Sequence, residues 1–172
     1  GMDVERMRWA VDVAARQIRR LNALEGMLLD VSRIQAGKLE LHCAEVDLCA
    51  IARGVVAELG DELSRLGVAL DVQAPRPVIG CWDGPRVEQV VTNLVTNAVK
   101  FGGGKPIELA VSADGQTALL SVTDHGIGIA PDTQAHIFER FHRGVSSRHY
   151  GGLGLGLYIT RTIVEAHGGR VR

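Results

Sequence analysis

VEQVVTNLVTNAVKF, residues 87–101, is the stretch from which the rest of the chain is best read. Helical residues three and four apart lie above one another, so Asn93, Asn97 and Lys100 share a face. Val90, Val91, Leu94, Val95, Ala98 and Phe101 supply the apolar positions. Such a helix can be buried while two amides and an ammonium point at a neighbour. Amides with a cation suit a metal ion and phosphates. A solvated polar stripe with an incidental N-x-x-x-N spacing is the simpler alternative on this stretch alone.

The flanks give this helix its setting. Asp83 and Pro85 form a helix start, and residues 68–72 and 78–82 read as strands separated by Pro75 and Pro77. Residues 107–113 and 117–123 flank Asp114 and Gly115, a hairpin signal, and Gln116 leaves two- and three-residue loops both open. Upstream, Asp47 is placed to cap a helix that buries Leu48, Ile51, Val55, Leu59, Leu63 and Leu66 and stops at Gly67. Residues 7–36 form a long amphipathic helix whose narrow, near-heptad seam calls for a helical partner. Gly37 stops it, and residues 39–42 alternate as a short strand. Downstream come a glycine-rich turn, a short helix at 133–138, an irregular polar segment at 142–152 and a last helix at 153–167 closed by Gly168 and Gly169. The expected class is α+β: a two-layer sandwich with helices on one face of a mixed sheet, preceded by one long helix. The expected division is 1–37, a linker strand at 38–47, and a domain at 48–172.

A chain of 172 residues suffices for one core and an appendage. Its 19 basic and 20 acidic residues give no reason to expect nucleic acid or another polyanion as partner. Cys43, Cys49 and Cys81 are few, odd in number and not in C-x-x-C spacing, which points to a reduced, cytoplasmic setting without disulfides or zinc. No apolar run approaches the ~20 residues of a membrane span, and no secretory pattern opens the chain, so it reads as soluble. Gly1 before Met2 reads as a residue left by tag removal.

Two further motifs carry chemistry. Asp124-His125-Gly126-Ile127-Gly128 follows a strand; its glycines permit a sharp turn close to a flat ligand, and a carboxylate there can accept from an exocyclic amine such as that of adenine. Alone it is equally an ordinary Asp-Gly turn. In Gly151-Gly152-Leu153-Gly154-Leu155-Gly156-Leu157, four glycines open a helix although each costs ~1 kcal/mol relative to alanine inside one. Bare amides at a helix start attract anions, triphosphate among them, and no GK[ST] of a Walker sequence follows.

In this order the motifs resemble the ATP-binding domain of sensor histidine kinases. NLVTNAVKF is similar to the family's N box, DHGIGIA to its first glycine box, IFERF to its F box and GGLGLGLYITRTIVEAHGG to its second glycine box. SRIQAGKLEL resembles the exit from the second helix of the dimerisation and phosphotransfer hairpin. The resemblance implies the Bergerat-type sandwich shared with gyrase, the Hsp90 chaperones and MutL. It implies ATP and Mg²⁺ as ligands, with Asn97 holding the metal and Asn93 and Lys100 contacting phosphates or metal. Asp124 would select adenine, with Gly126 and Gly128 giving the base room. Gly152, Leu153, Gly154, Leu155 and Gly156 would line the phosphates, Phe138 and Phe141 would support a lid, and Arg143 and Arg148 would be lid cations. It also implies a homodimeric parent protein, of a kind that can be membrane-anchored, with an acceptor-histidine hairpin and a response regulator as partners.

Related gyrase-like ATPases carry a glutamate four residues before the metal asparagine, as a base. Here that position is Asn93, which suits holding ATP for transfer rather than hydrolysing it. None of the six histidines has the acceptor's context: His42 lies in the linker, His125 in the adenine turn, His136 and His142 beside the F box, His149 in the lid and His167 at a helix end. Leu153 stands where the family often has Ser or Thr. The resemblance also implies two strands beyond His167-Gly168-Gly169, without which a sheet edge is exposed. Two readings follow: a catalytic domain whose acceptor histidine lies elsewhere, or a nucleotide-responsive module that docks a partner through residues 7–36.

Overall fold

Local start and stop signals set most element boundaries in the computed structural model, which describes residues 2–142 and 153–172. The chain divides into two compact units, Gly1–Leu39 and Glu40–Arg172. The first is built on the helix α1 (Met2–Gln35). Past its end, the Lys38 N–H returns to the Arg33 carbonyl at 2.8 Å, which closes the last turn. Met7, Val11, Ile18 and Leu21 of the expected seam are all more than half exposed.

The second unit runs β1 (Ala44–Asp47), α2 (Leu48–Leu66), β2 (Leu70–Gln73), β3 (Ile79–Trp82), α3 (Gly84–Phe101), β4 (Ile107–Asp114), β5 (Thr117–Thr123), α4 (Pro131–Gln134) and α5 (Gly156–Ala166). Asp47 caps α2 by accepting from Cys49 N–H, and the helix stops at Gly67. Asp83 caps α3 by accepting from Arg86 N–H, with Pro85 in the first turn.

The strands differ from expectation where pairing decides them. Residues 39–42 are not a strand. β1 begins at Ala44 because its partner β3 has four residues, in antiparallel register from Ala44↔Trp82 to Asp47↔Ile79, and the His42 N–H goes to the Asp83 carboxylate instead. β2 starts late because Val68 N–H is used in closing α2. The β4–β5 hairpin pairs Asp114 with Thr117, so its loop is the two residues Gly115 and Gln116. Gly115 has φ 58°, as a II′ turn requires at its first loop position.

Among the described residues the strands form a mixed sheet, as expected, ordered β2-β4-β5 with β2 parallel and β5 antiparallel to β4, and β1 and β3 pair separately. On β4, Ile107, Leu109 and Val111 are buried while Glu108 is exposed, the alternation of a sheet covered on one face. Leu48, Ala52 and Val55 of α2 and Val91 and Val95 of α3 fill that face together with Leu109 and Val111. Helix α5 packs on α3 and buries Ile159 and Ile163 completely, worth roughly 1.5–3 kcal/mol each relative to exposure.

The last two helices are shorter than their patterns suggest. Pro131 starts α4 two residues early, and after Gln134 the chain proceeds by turns, His136 N–H to Thr133 O and Glu139 N–H to His136 O, in place of an α ladder. Helix α5 starts at Gly156 because Gly154 has φ 69° and gives its carbonyl to Phe141 N–H. Its closure at Gly168 and Gly169 is as expected: their N–H groups bond Glu165 O and Val164 O.

Candidate nucleotide site

Helix α3 is in contact with both glycine motifs, one at its C-terminal end and one at Asn93. At its C-terminal end the Asp124 turn docks: Ile127 N–H donates to Phe101 O at 3.2 Å, and Asp124 Oδ1 accepts from Gly126 N–H at 2.9 Å. A Cβ on Gly126 would overlap the Phe101 carbonyl oxygen and stand 2.6 Å from Gly102 Cα. That glycine thus lets the turn sit on the end of α3. A Cβ on Gly128, which has φ 67°, would meet no atom of the described residues within 4 Å. The Asp124 carboxylate is exposed, and His125 Nε2 lies 3.3 Å from the Glu108 carboxylate on β4.

Midway along α3, Asn93 meets the start of α5. Its Nδ2 is 3.3 Å from Gly156 O and 3.5 Å from Thr160 Oγ1, a shared donor at the long end of the hydrogen-bond range. Thr160 is fully buried and was not singled out from the sequence. Its signal was the i, i+4 relation to Gly156, which places both on one face of α5. Asn97, one turn beyond Asn93, is half-buried and has no hydrogen-bond partner among the described residues. Lys100 Nζ stands 4.6 Å from the Phe101 ring centroid, a cation–π distance. The N-cap residue of α5, Leu155, makes no side-chain cap hydrogen bond.

Within the second glycine motif the roles alternate. Leu153 is 38% exposed and Leu155 only 1%. A Cβ on Gly154 would stand 3.0 Å from Phe141 C, so this glycine lets the two backbones approach. Phe141 is joined to the motif through its backbone, with its ring 59% exposed and φ 60°. Phe138 is half-buried, with the Arg161 guanidinium 6.0 Å from its ring. Nearby, the hydrogen bond from the His136 ring holds the Glu139 carboxyl below its ordinary value, against a smaller effect of burial. Gly152, Arg143, Arg148 and His149 lie outside the described residues.

At the far end of α5, His167 makes a bond that sequence reasoning missed. Its Nδ1–H donates to Ile163 O at 2.8 Å, so Nε2 is the acceptor for Asp83 N–H at 3.0 Å. The two helices are therefore tied twice, and they run antiparallel: the start of α5 lies beside the middle of α3, and its end beside the α3 cap.

Among the described residues no group of three or more His, Cys, Asp or Glu side chains could hold a metal ion. Asn97, an amide with no hydrogen-bond partner among the described residues, fits a hard cation held mainly by phosphate oxygens, as Mg²⁺ usually is. Chemically, the exposed Asp124 carboxylate can accept from an amine, and an amide and an ammonium on α3, Asn97 and Lys100, suit anionic groups.

Residues 82–172, more than half of the chain, match the family model of histidine kinase-, DNA gyrase B- and HSP90-like ATPases. The chain is 33% identical over 165 residues to the sensor histidine kinase MtrB of Mycolicibacterium paratuberculosis, covering 94% of this chain and 29% of the relative. It is 35% identical to the circadian input-output histidine kinase CikA of Synechococcus elongatus, covering 100% of this chain and 25% of the relative. Full-length ShkA in complex with AMPPNP superimposes with a TM-score of 0.75 at 34% identity, over 87% of this chain and 31% of that one. The chain thus spans less than a third of the length of these relatives.

Proposed function

Since the chain belongs to the histidine kinase-, DNA gyrase B- and HSP90-like ATPase family, we propose that it is the Mg-ATP-binding catalytic region of a sensor histidine kinase. It serves transfer of the γ-phosphoryl group to a histidine on an acceptor helix, none of the six histidines here having that context. The observation that carries this reading is that α3 holds both glycine motifs, the Asp124 turn through Phe101 O at its C-terminal end and the Gly156 end of α5 through Asn93 midway along it. Asp124 takes the adenine amine; Gly126 and Gly128 shape the turn beneath the base. Asn97 holds Mg²⁺, which neutralises charge on the transferring phosphoryl group when bound. Lys100 and the amides from Gly152 to Gly156 attend the phosphates, with Leu153 and Leu155 contributing backbone, and Phe138 and Phe141 support the lid. With an amide at Asn93 in place of a carboxylate base, the site suits holding ATP rather than activating water.

Partners follow from the same reading: an acceptor hairpin of which α1 is one helix, a second copy of the parent protein, and a response regulator. Cys43, Cys49 and Cys81 are free thiols, and a cytoplasmic setting is part of the same proposal. No helix among the described residues is long and apolar enough to cross a membrane. The exposed apolar row Met7, Val11, Ile18 and Leu21 favours a second reading, a nucleotide-responsive module that docks a partner through α1 without transfer.

Calorimetry with Mg-ATP and a phosphotransfer assay with an added acceptor hairpin test both. Binding that Asn97→Ala abolishes, with label passing to the acceptor histidine, is the expected result. Binding without transfer favours the docking module. Absence of binding at millimolar Mg-ATP, the same for Asn97→Ala, overturns the nucleotide reading.

A further inference from the structure

Asn93 makes contacts that a metal or phosphate ligand has no need of. The Gly156 carbonyl only accepts hydrogen bonds, so the amide nitrogen of Asn93 must face it, at 3.3 Å. The same nitrogen is the only partner, among the described residues, of the Thr160 hydroxyl, which is fully buried. A buried hydroxyl needs a partner, so Asn93 is committed to α5 by the burial of Thr160. At the other end of α5 the His167 ring, fixed as its Nδ1–H tautomer by Ile163 O, accepts from Asp83 N–H. An 11-residue helix spans ~16 Å, so His167 is far beyond reach of anything bound at Gly156.

We propose that Asn93 and His167 are positioning residues that fix the first turn of α5 against Asn97, and that Asn93 acts on the nucleotide through α5 rather than as a ligand of its metal. The inference rests on the nucleotide reading above. Phosphates that meet Asn97 on α3 and the amides at the start of α5 need both helices at one spacing. Small displacements of either spoil the simultaneous contact. Asn93 sets that spacing beside the ligand, and His167 sets the pitch of α5 from its far end.

The test is ATP affinity of the intact chain, by calorimetry, in excess Mg²⁺ and again in EDTA. The variants are Asn93→Ala, Thr160→Val, His167→Ala and His167→Gln, each read at a temperature where circular dichroism shows it folded. The expected result is that Asn93→Ala, Thr160→Val and His167→Ala each weaken binding about tenfold, by the same factor with and without Mg²⁺. His167→Gln, whose amide oxygen can accept from Asp83 N–H, recovers most of the loss. Should His167→Ala not fold, the Thr160→Val comparison decides alone. A loss at Asn93→Ala confined to Mg²⁺, with Thr160→Val at wild-type affinity, makes Asn93 a metal ligand and overturns the proposal. Wild-type affinity in all four variants with lowered melting temperatures reduces these bonds to fold stability and overturns it too. Wild-type chain that binds no ATP in either condition overturns the nucleotide reading and this inference together, an outcome distinct from the other two.

Discussion

The backbone N–H of Asp83 donates to Nε2 of His167 at 3.0 Å, joining the cap of α3 to the end of α5 across 84 positions of sequence. The Asp83 carboxylate, only 5% exposed, works in the same junction: Oδ2 accepts from His42 N–H at 2.8 Å and Oδ1 from Arg86 N–H at 3.1 Å. The segment that enters the domain and both helices of the site thus meet at one aspartate.

Acid stability should report this junction. Burial alone would raise the Asp83 carboxyl, but the N–H donors of His42 and Arg86, with the Arg86 charge, together outweigh it and hold the group below its ordinary value of 3.8. A carboxyl depressed in the folded state contributes stability that is fully present above its unfolded value and lost as pH falls through the folded one. Urea denaturation should show wild-type stability falling below about pH 4. Asp83→Asn, which leaves one N–H facing an amide donor, should be less stable at pH 7 by about 1–3 kcal/mol and show a shallower acid slope. Equal slopes in the two proteins would remove Asp83 from the account.

The alternation in Gly152-Leu153-Gly154-Leu155-Gly156 predicts opposite responses from its two leucines. Leu155 is 1% exposed, so Leu155→Ala should cost about 2–5 kcal/mol through a lost side chain and the cavity left behind. Leu153, at 38% exposed, should tolerate alanine within about 0.5 kcal/mol. Thermal and urea unfolding of the pair decides this. Equal costs would show that Leu153 is covered in solution.

What could be read from the sequence was what neighbouring residues determine. Asp47, Gly67, Asp83 and Pro85 act on hydrogen bonds within a few positions of themselves, and the bounds of α2 and α3 followed from them. The start of β1 did not, because it depends on where β3, some 35 residues on, stops offering partners. The site divides in the same way. Asn93, Asn97 and Lys100 share a face by helical geometry alone, whereas the commitment of Asn93 to Thr160 and of His167 to Asp83 exists only once α5 packs on α3. The closeness of Gly126 to the Phe101 carbonyl is of the same kind, since no local pattern shows it.

The two glycines of the Asp124 turn can therefore be told apart by adding one methyl group to each. In Gly126→Ala the new Cβ overlaps the Phe101 carbonyl oxygen, backbone against backbone, so neither side can yield by a change of rotamer. The turn must lift from α3, at a cost near the upper end of overpacking, about 3 kcal/mol. Asp124 moves with it, so ATP affinity should fall more than stability alone accounts for. In Gly128→Ala the Cβ meets no atom of the described residues within 4 Å, and the cost is the left-handed φ of 67°, about 1 kcal/mol. Any further loss of ATP affinity in Gly128→Ala must then come from contact with the nucleotide itself. Chemical denaturation paired with ATP calorimetry on both variants separates these effects. A Gly126→Ala protein with wild-type stability would show that the turn does not rest on α3 in solution.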